Sequence, residues 1–245
     1  MALVLRRYDV PLPDLDPAHD GLTIAHLTDL HVGMLTSHRK IRRALDLAEA
    51  EKPSLLVMTG DFVCYNKKFV GALAEICADI KIPAYAVLGN HDYWTDGQGV
   101  QKALERAGVG VLRNQHTELV LNHAPFNIVG IDDAITNHHD PKRAFAGVRH
   151  GGSRLVLTHA PNLADRADVE GSSLVLAGHT HGGHVHIPKF TPALFRRFTG
   201  ARYLKGWYQV GRSSLYVNCG VGSSSVPIRA GAPAEVAILT LRRAS

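Results

Sequence analysis

Cysteine is scarce in this chain of 245 residues: Cys64, Cys77 and Cys219 make three, an odd number, and no Cys-x-x-Cys occurs. That speaks against a disulfide framework or a zinc ribbon and points to a reducing compartment, with a bacterial periplasm as the alternative. The opening residues, Met1 to Arg7, hold too short an apolar run for a signal peptide or a membrane span. Arg6-Arg7 is followed by Tyr-Asp-Val-Pro rather than the apolar region of a twin-arginine export signal. Low-complexity tracts, repeats at solenoid periods and evident linkers are also missing. Charged residues make up only 20% against 45% hydrophobic, so the chain is globular with ample material for a core. Its net charge of +5 favours anionic partners such as phosphate groups, anionic lipid or nucleic acid without choosing among them.

Histidine, by contrast, is plentiful at 15 copies. Metal-binding side chains cluster in five short segments, each directly after an apolar run. They are Asp29 and His31 in TDLHVG, Asp61 in TGDFV, Asn90-His91-Asp92 in LGNHDYW, His159 in LTHAP, and His179 with His181 in AGHTHGG. The apolar runs are Leu22–Leu27, Ser54–Met58, Ala84–Leu88, Asn127–Ile131, Arg154–Leu157, Leu174–Ala177 and Leu215–Asn218, of the length and composition of buried strands. An amphipathic helix is expected at about Arg39–Glu51, with Ile41, Ala44, Leu45 and Ala48 on one face and Pro53 stopping it. Further helices are expected at about Phe69–Ala78 and Gly99–Ala107. Strands alternating with helices early in the chain indicate βαβ crossovers, and the later half reads as a second sheet packed on the first. A separately folding C-terminal half is the alternative, and ligand-type residues on both halves argue against it.

In open α/β sheets, ligands bind outside the carboxyl ends of the strands. Asp29, Asp61, Asn90, Asp132, His159 and His179 all fall one to three residues past an expected strand end. Any one of them alone is ordinary turn chemistry. Together, in Gly- or Thr-flanked turns, they make a site. Asp29-x-His31 and His179-x-His181 each place two side chains on one side of an extended segment.

This order resembles the calcineurin-like metallophosphoesterase family, whose signature runs DxH, GD, GNH[DE], a lone His and GHxH. Here it stands as Asp29-Leu30-His31, Gly60-Asp61, Gly89-Asn90-His91-Asp92, His159 and Gly178-His179-Thr180-His181. GNHDYW, GIDD, LTHAPN, GHTHGG and the VNCGVG…VPIR tail look more narrowly like the branch with bacterial membrane-associated phosphodiesterases. UDP-2,3-diacylglucosamine hydrolases of chlamydial type are also similar. The resemblance implies an α/β fold of two packed mixed β-sheets flanked by helices, an αββα sandwich, as one domain over residues 1–245. It implies two divalent ions, Mn²⁺ first and Fe or Zn²⁺ as alternatives, since mixed nitrogen and oxygen donors do not suit Ca²⁺. One ion would take Asp29, His31 and His181, the other Asn90, His159 and His179, with Asp61 bridging. A metal-bridging hydroxide would attack phosphorus in line. His91 would protonate the leaving oxygen, and Asp92 would orient its imidazole.

The expected activity is therefore phosphodiester or pyrophosphate hydrolysis, with a lipid-linked or nucleotide-lipid substrate as one option. Phosphomonoesterase, nuclease and non-catalytic scaffold are the alternatives. Every ligand is retained, which speaks against a scaffold, and the core leaves no room for a dedicated nucleic-acid-binding domain. At 187–208, Phe190, Leu194, Phe195, Phe198, Tyr203, Leu204 and Trp207 alternate with Lys189, Arg196, Arg197, Arg202 and Lys205. This mixture suits a flap that meets substrate or an anionic membrane surface, with Thr191 capping a short helix and Pro192 at its first position. His184, where the branch commonly has Gln, is expected either near phosphate and metal or as an outward strand residue. Arg39, Lys40, Arg42 and Arg43 make a basic helix face, and Tyr93 and Trp94 are candidates for a pocket wall. A monomer, cytoplasmic and peripheral to the membrane, is the expected setting.

Overall fold

The apolar runs are continuous because their strands are covered on both faces. In the computed structural model, which describes residues 3–148, 153–169, 174–224 and 228–244, two six-stranded sheets pack face to face. The first runs in the order β1 (Leu3–Leu12), β12 (Ala234–Arg243), β2 (Thr23–Leu27), β3 (Leu55–Thr59), β4 (Ala84–Val87) and β5 (Gly110–Val111). The second runs β10 (Gly206–Val210), β11 (Ser213–Val217), β9 (Leu174–Ala177), β8 (Ser153–Thr158), β7 (Ala124–Ile131) and β6 (Gln115–Leu121).

Period-two alternation splits each central strand between two cores. Ile24, Leu55 and Val57 face the second sheet, where they meet Phe126, Ile128, Leu155 and Leu176. Ala25, Leu27, Leu56 and Met58 turn the other way, onto helices α1 (His38–Ala50), α2 (Phe69–Cys77) and α3 (Asn90–Arg106). Behind the second sheet, Val129, Val156 and Val175 pack with α4 (Pro141–Phe145) and α5 (Ala164–Val169). The result is the expected α/β sandwich of two mixed sheets flanked by helices.

The structure adds to the expectation in three places. All seven expected strands form, but β12 returns to the first sheet, between β1 and β2, so the end of the chain completes the sheet that its start began. Helix α3 bends at Asp96, whose backbone is extended rather than helical and whose carboxylate accepts from Gly99 N at 3.1 Å. The expected helix near Gly99 follows this kink, and an additional helical turn from Asn90 precedes it, closed by Asp92 accepting from the Gly89 amide at 2.9 Å. Finally, α6 (Phe190–Thr199) starts one residue before Thr191, so Thr191 does not cap it. The Thr191 hydroxyl instead bridges Val185 O and Ile187 N at 3.0 and 2.9 Å, fastening the preceding loop to the helix.

Candidate metal centre

Strands β2, β3 and β4 run parallel, as do β8 and β9, so their carboxyl ends gather at one edge of the sandwich. The pairing of β2 with β3 continues past both strands: Asp29 N donates to Gly60 O, and His31 N to Asp61 O, each at 2.9 Å. On the second sheet, Gly178 N donates to His159 O at 3.1 Å. These bonds hold Asp29, His31, Asp61, His179 and His181 with φ between 45° and 72°. Non-glycine residues adopt that left-handed backbone only when surroundings impose it, and such positions concentrate at functional sites. Glycine is required where the loops touch: a Cβ on Gly89 would overlap the Asp61 carboxylate, and one on Gly178 would overlap Thr28 and Asp29.

Asp29, Asp61 and His159 are each held by one atom and present another. Asp29 Oδ2 accepts from Thr28 Oγ1 at 2.8 Å and His179 N at 3.0 Å. Its Oδ1 is buried without a hydrogen bond, 3.4 Å from His181 Nε2 and 3.7 Å from His31 Nε2. Asp61 Oδ1 accepts from His91 N at 2.8 Å, leaving Oδ2 3.3 Å from His159 Nε2 and 3.6 Å from His31 Nε2. His159 Nδ1 donates to Thr59 O at 2.7 Å, which leaves Nε2 as the nitrogen facing the site. His179 Nδ1 lies 3.2 Å from that nitrogen, and Asn90 Oδ1 is buried and unpartnered. Three donor groups result, Asp29-His31-His181, Asp61-His159-His179 and His31-Cys64-His91, with Asp61 Oδ2 also within reach of His31. Oxygen and imidazole nitrogen in this mixture fit Mn²⁺, Fe or Zn²⁺.

The electrostatics agree with that fit. Burial alone would raise the Asp29 and Asp61 carboxyls, but the surrounding imidazoles hold both well below the usual carboxylate range. Burial disfavours charge on His31 and His159 too, yet the two carboxylates push both up to about 10. Protons on these rings balance the buried anions, and a divalent cation would do so from the same position.

His91 and Asp92 part company. The Asp92 carboxylate is spent on backbone amides, those of Phe62 at 2.8 Å, Val63 at 3.1 Å and Gly89 at 2.9 Å. It fastens the Asp61 loop to the start of α3, and burial, with Asp61 near, pushes it up to about 7. The group against the His91 ring is instead Cys64, with Sγ 3.6 Å from Nδ1. Burial lowers the His91 imidazole. Trp94 is exposed and sits edge-on to His91 at 5.0 Å. Tyr93 turns away to bond Asp132 at 2.6 Å and stack on His138. Asp132 is held there by Arg113 at 3.0 Å, outside all three donor groups.

His184 lies on no strand; it follows the turn His181–Gly183 and stacks on His181 with centroids 4.7 Å apart. Of the basic helix face, Arg42 pairs with Asp79 at the surface. Lys40 is partly buried, and that burial, with Arg229 nearby, pushes it down to about 8. Sequence reasoning assigned no role to Cys64 or Arg229. Arg229 donates to His181 Nδ1 at 2.9 Å and to Cys219 O at 2.5 Å, tying a late loop to the site. Its place in the VPIR tail was the available signal; Val226 and Pro227 of that tail lie outside the described residues. Among the described residues, no helix is long and apolar enough to cross a membrane.

A parallel-edge cluster of carboxylates and imidazoles on a double-sheet sandwich fits a divalent-metal site. The family model for calcineurin-like phosphoesterases matches residues 22–183, and the chain belongs to that family. It is 33% identical to the uncharacterized metallophosphoesterase YkoQ of Bacillus subtilis, over 90% of this chain and 83% of that one. It is 30% identical to the phosphodiesterase YaeI of Escherichia coli, over 82% of this chain and 75% of that one. Identity to the UDP-2,3-diacylglucosamine pyrophosphatase LpxG of Chlamydia muridarum is 26%, over 97% of this chain and 88% of that one. Among solved structures, TT1561 of Thermus thermophilus shares the fold, with a TM-score of 0.57 at 12% identity over 82% of this chain and 90% of that one.

Proposed function

We propose that the protein is a two-metal phosphodiesterase or pyrophosphatase. The observation that carries this is the matched pair Asp29 and Asp61: each carboxylate is anchored through one oxygen and offers the other to two imidazoles. Asp29, His31 and His181 would hold one ion, and Asn90, His159 and His179 the other, with Asp61 between them. Two divalent ions there, Mn²⁺ being our first choice, supply Lewis-acid activation of water and positive charge beside phosphorus. The protein's own part is to exclude bulk water with buried donors and to bring His91 to the leaving oxygen. An imidazole is suited to that proton transfer because its unperturbed pKa of about 6.5 lies near working pH, although burial draws His91 below it. Asp92 acts through the backbone, holding the Asp61 loop against Asn90 and His91.

The substrate we favour is lipid-linked. The name of the Chlamydia relative supports this, and so does α6, where Phe190, Leu194 and Phe198 stand exposed at four-residue spacing beside Arg196 and Arg197. An aryl phosphodiester, an aryl monoester, cyclic nucleotides and UDP-2,3-diacylglucosamine, assayed with Mn²⁺, test the reading. Preferential turnover of the diester or the diacylglucosamine nucleotide is expected; turnover confined to the monoester would reject it.

A further inference from the structure

Beside His31 a cavity of about 280 Å³ opens between the first metal loop and the start of α2, walled by Met34, Leu35, Cys64, Tyr65 and Phe69. Met34 is 90% exposed and Tyr65 70% exposed, and Leu35 is exposed as well. Single exposed apolar side chains need no explanation, but several gathered around one opening do. Tyr65 is held at φ 61°, a costly backbone for a bulky residue, and this sets its ring edge-on to His91 at 5.4 Å. Cys64 lines the cavity and also touches His91. The cavity thus begins at one donor of the metal centre, His31, and two of its walls, Cys64 and Tyr65, touch His91, the imidazole assigned to the leaving oxygen.

We propose that this cavity binds the apolar organic group on the leaving side of a phosphodiester substrate. The inference rests on the hydrolase reading above and adds the chemistry of the leaving group. Phosphorus must lie against Asp29 and Asp61, and His91 reaches the leaving oxygen only from its own side. The group attached to that oxygen therefore projects towards Tyr65, Met34 and Leu35. Met34, Leu35 and Phe69 offer apolar contact there; Asn66, Lys68, Ser223 and Ser224 also line the cavity, but its exposed surface is mostly apolar, which favours an apolar group. The volume lies just below the usual range for drug-sized ligands, roughly 300–1,000 Å³. A single ring with a short alkyl chain, or the first part of an acyl chain, fits it.

The test is a series of para-alkylphenyl methyl phosphates, from para-methyl to para-hexyl, in which chain length grows while the acidity of the leaving phenol stays almost constant. In the Mn²⁺-loaded enzyme, kcat/KM should rise about fourfold per added methylene until the cavity is filled. In the double variant Met34→Ser/Leu35→Ser, the ratio of longest to shortest ester should fall at least tenfold. Because the ratio is internal to each enzyme, a change in overall activity does not obscure it. A flat series in the wild type, or an unchanged ratio in the variant, overturns the cavity assignment while the hydrolase reading stands. Absence of turnover for every ester, and for UDP-2,3-diacylglucosamine as well, rejects the hydrolase reading. Calorimetric binding of the same esters then decides the cavity, with affinity rising per methylene in its favour and a flat series against it.

Discussion

His31 Nε2 and His181 Nε2 face each other at 3.1 Å although 150 residues separate them in the chain. One stands after β2 in the first sheet and the other after β9 in the second, so the centre forms only when the sandwich is closed. Metal binding is then linked to folding. Mn²⁺ at a hundred times its dissociation constant should stabilise the protein by about 2.7 kcal/mol, and chelation should reverse this. His181→Ala should lose most of that gain in thermal melts. A metal-independent melting temperature in the wild type would contradict the linkage.

His91 should matter in proportion to the difficulty of expelling the leaving group. His91→Ala is expected to lower kcat by about 10²–10⁴ on alkyl diesters and far less on nitrophenyl diesters, whose leaving oxygen needs no proton. Equal losses on both would assign His91 to binding instead.

The tight glycines make a controlled comparison. Gly89→Ala would drive a methyl group into the Asp61 carboxylate, and should destabilise by about 1–3 kcal/mol and weaken metal binding. Gly71→Ala on α2 meets nothing within 4 Å and should stabilise by about 0.5–1 kcal/mol. Denaturant melts of the two variants check both signs.

His26 gives the fold a pH dependence of its own. It is buried between the sheets, bonded to Thr59 Oγ1 at 2.8 Å, and burial lowers its imidazole to about 3. The unfolded chain, with an ordinary value near 6.5, binds the proton first, so this contribution is complete above about pH 6.5 and is lost as pH falls towards 3. Between pH 7 and pH 5 the loss should be about 2 kcal/mol. His26→Gln in chelated buffer should show a pH slope shallower by that amount, and an identical slope would refute the assignment.

Helix α6 predicts membrane contact. Vesicles containing anionic lipid should sediment the protein at low salt, and Phe190→Ser/Phe198→Ser should abolish sedimentation without changing the melt. Absence of binding at low salt removes the membrane reading.

Much of this was legible because strands buried on both faces leave unbroken apolar runs, and a ligand directly after such a run marks a sheet edge. Strands such as β6, with exposed Gln115, Glu118 and Val120 alternating with partly buried neighbours, leave no such run. β12 is apolar, but its return to the first sheet depends on pairing with β1 and β2, which no local pattern encodes. The helical start of GNHD was hidden by Gly97 and Gly99, poor helix formers, although Asp92 closes the turn. For the same reason the sequence suggested Asp92 as the partner of His91, whereas tertiary packing gave its carboxylate to Phe62, Val63 and Gly89 and brought Cys64 to the ring.

The most direct test of the two-metal claim is anomalous diffraction from crystals grown with Mn²⁺. Two peaks about 3.5–4 Å apart are expected, with Asp61 Oδ2 between them. Asp29, His31 and His181 should surround one peak, and Asn90, His159 and His179 the other. A single peak, or two peaks that do not share Asp61, would contradict that claim.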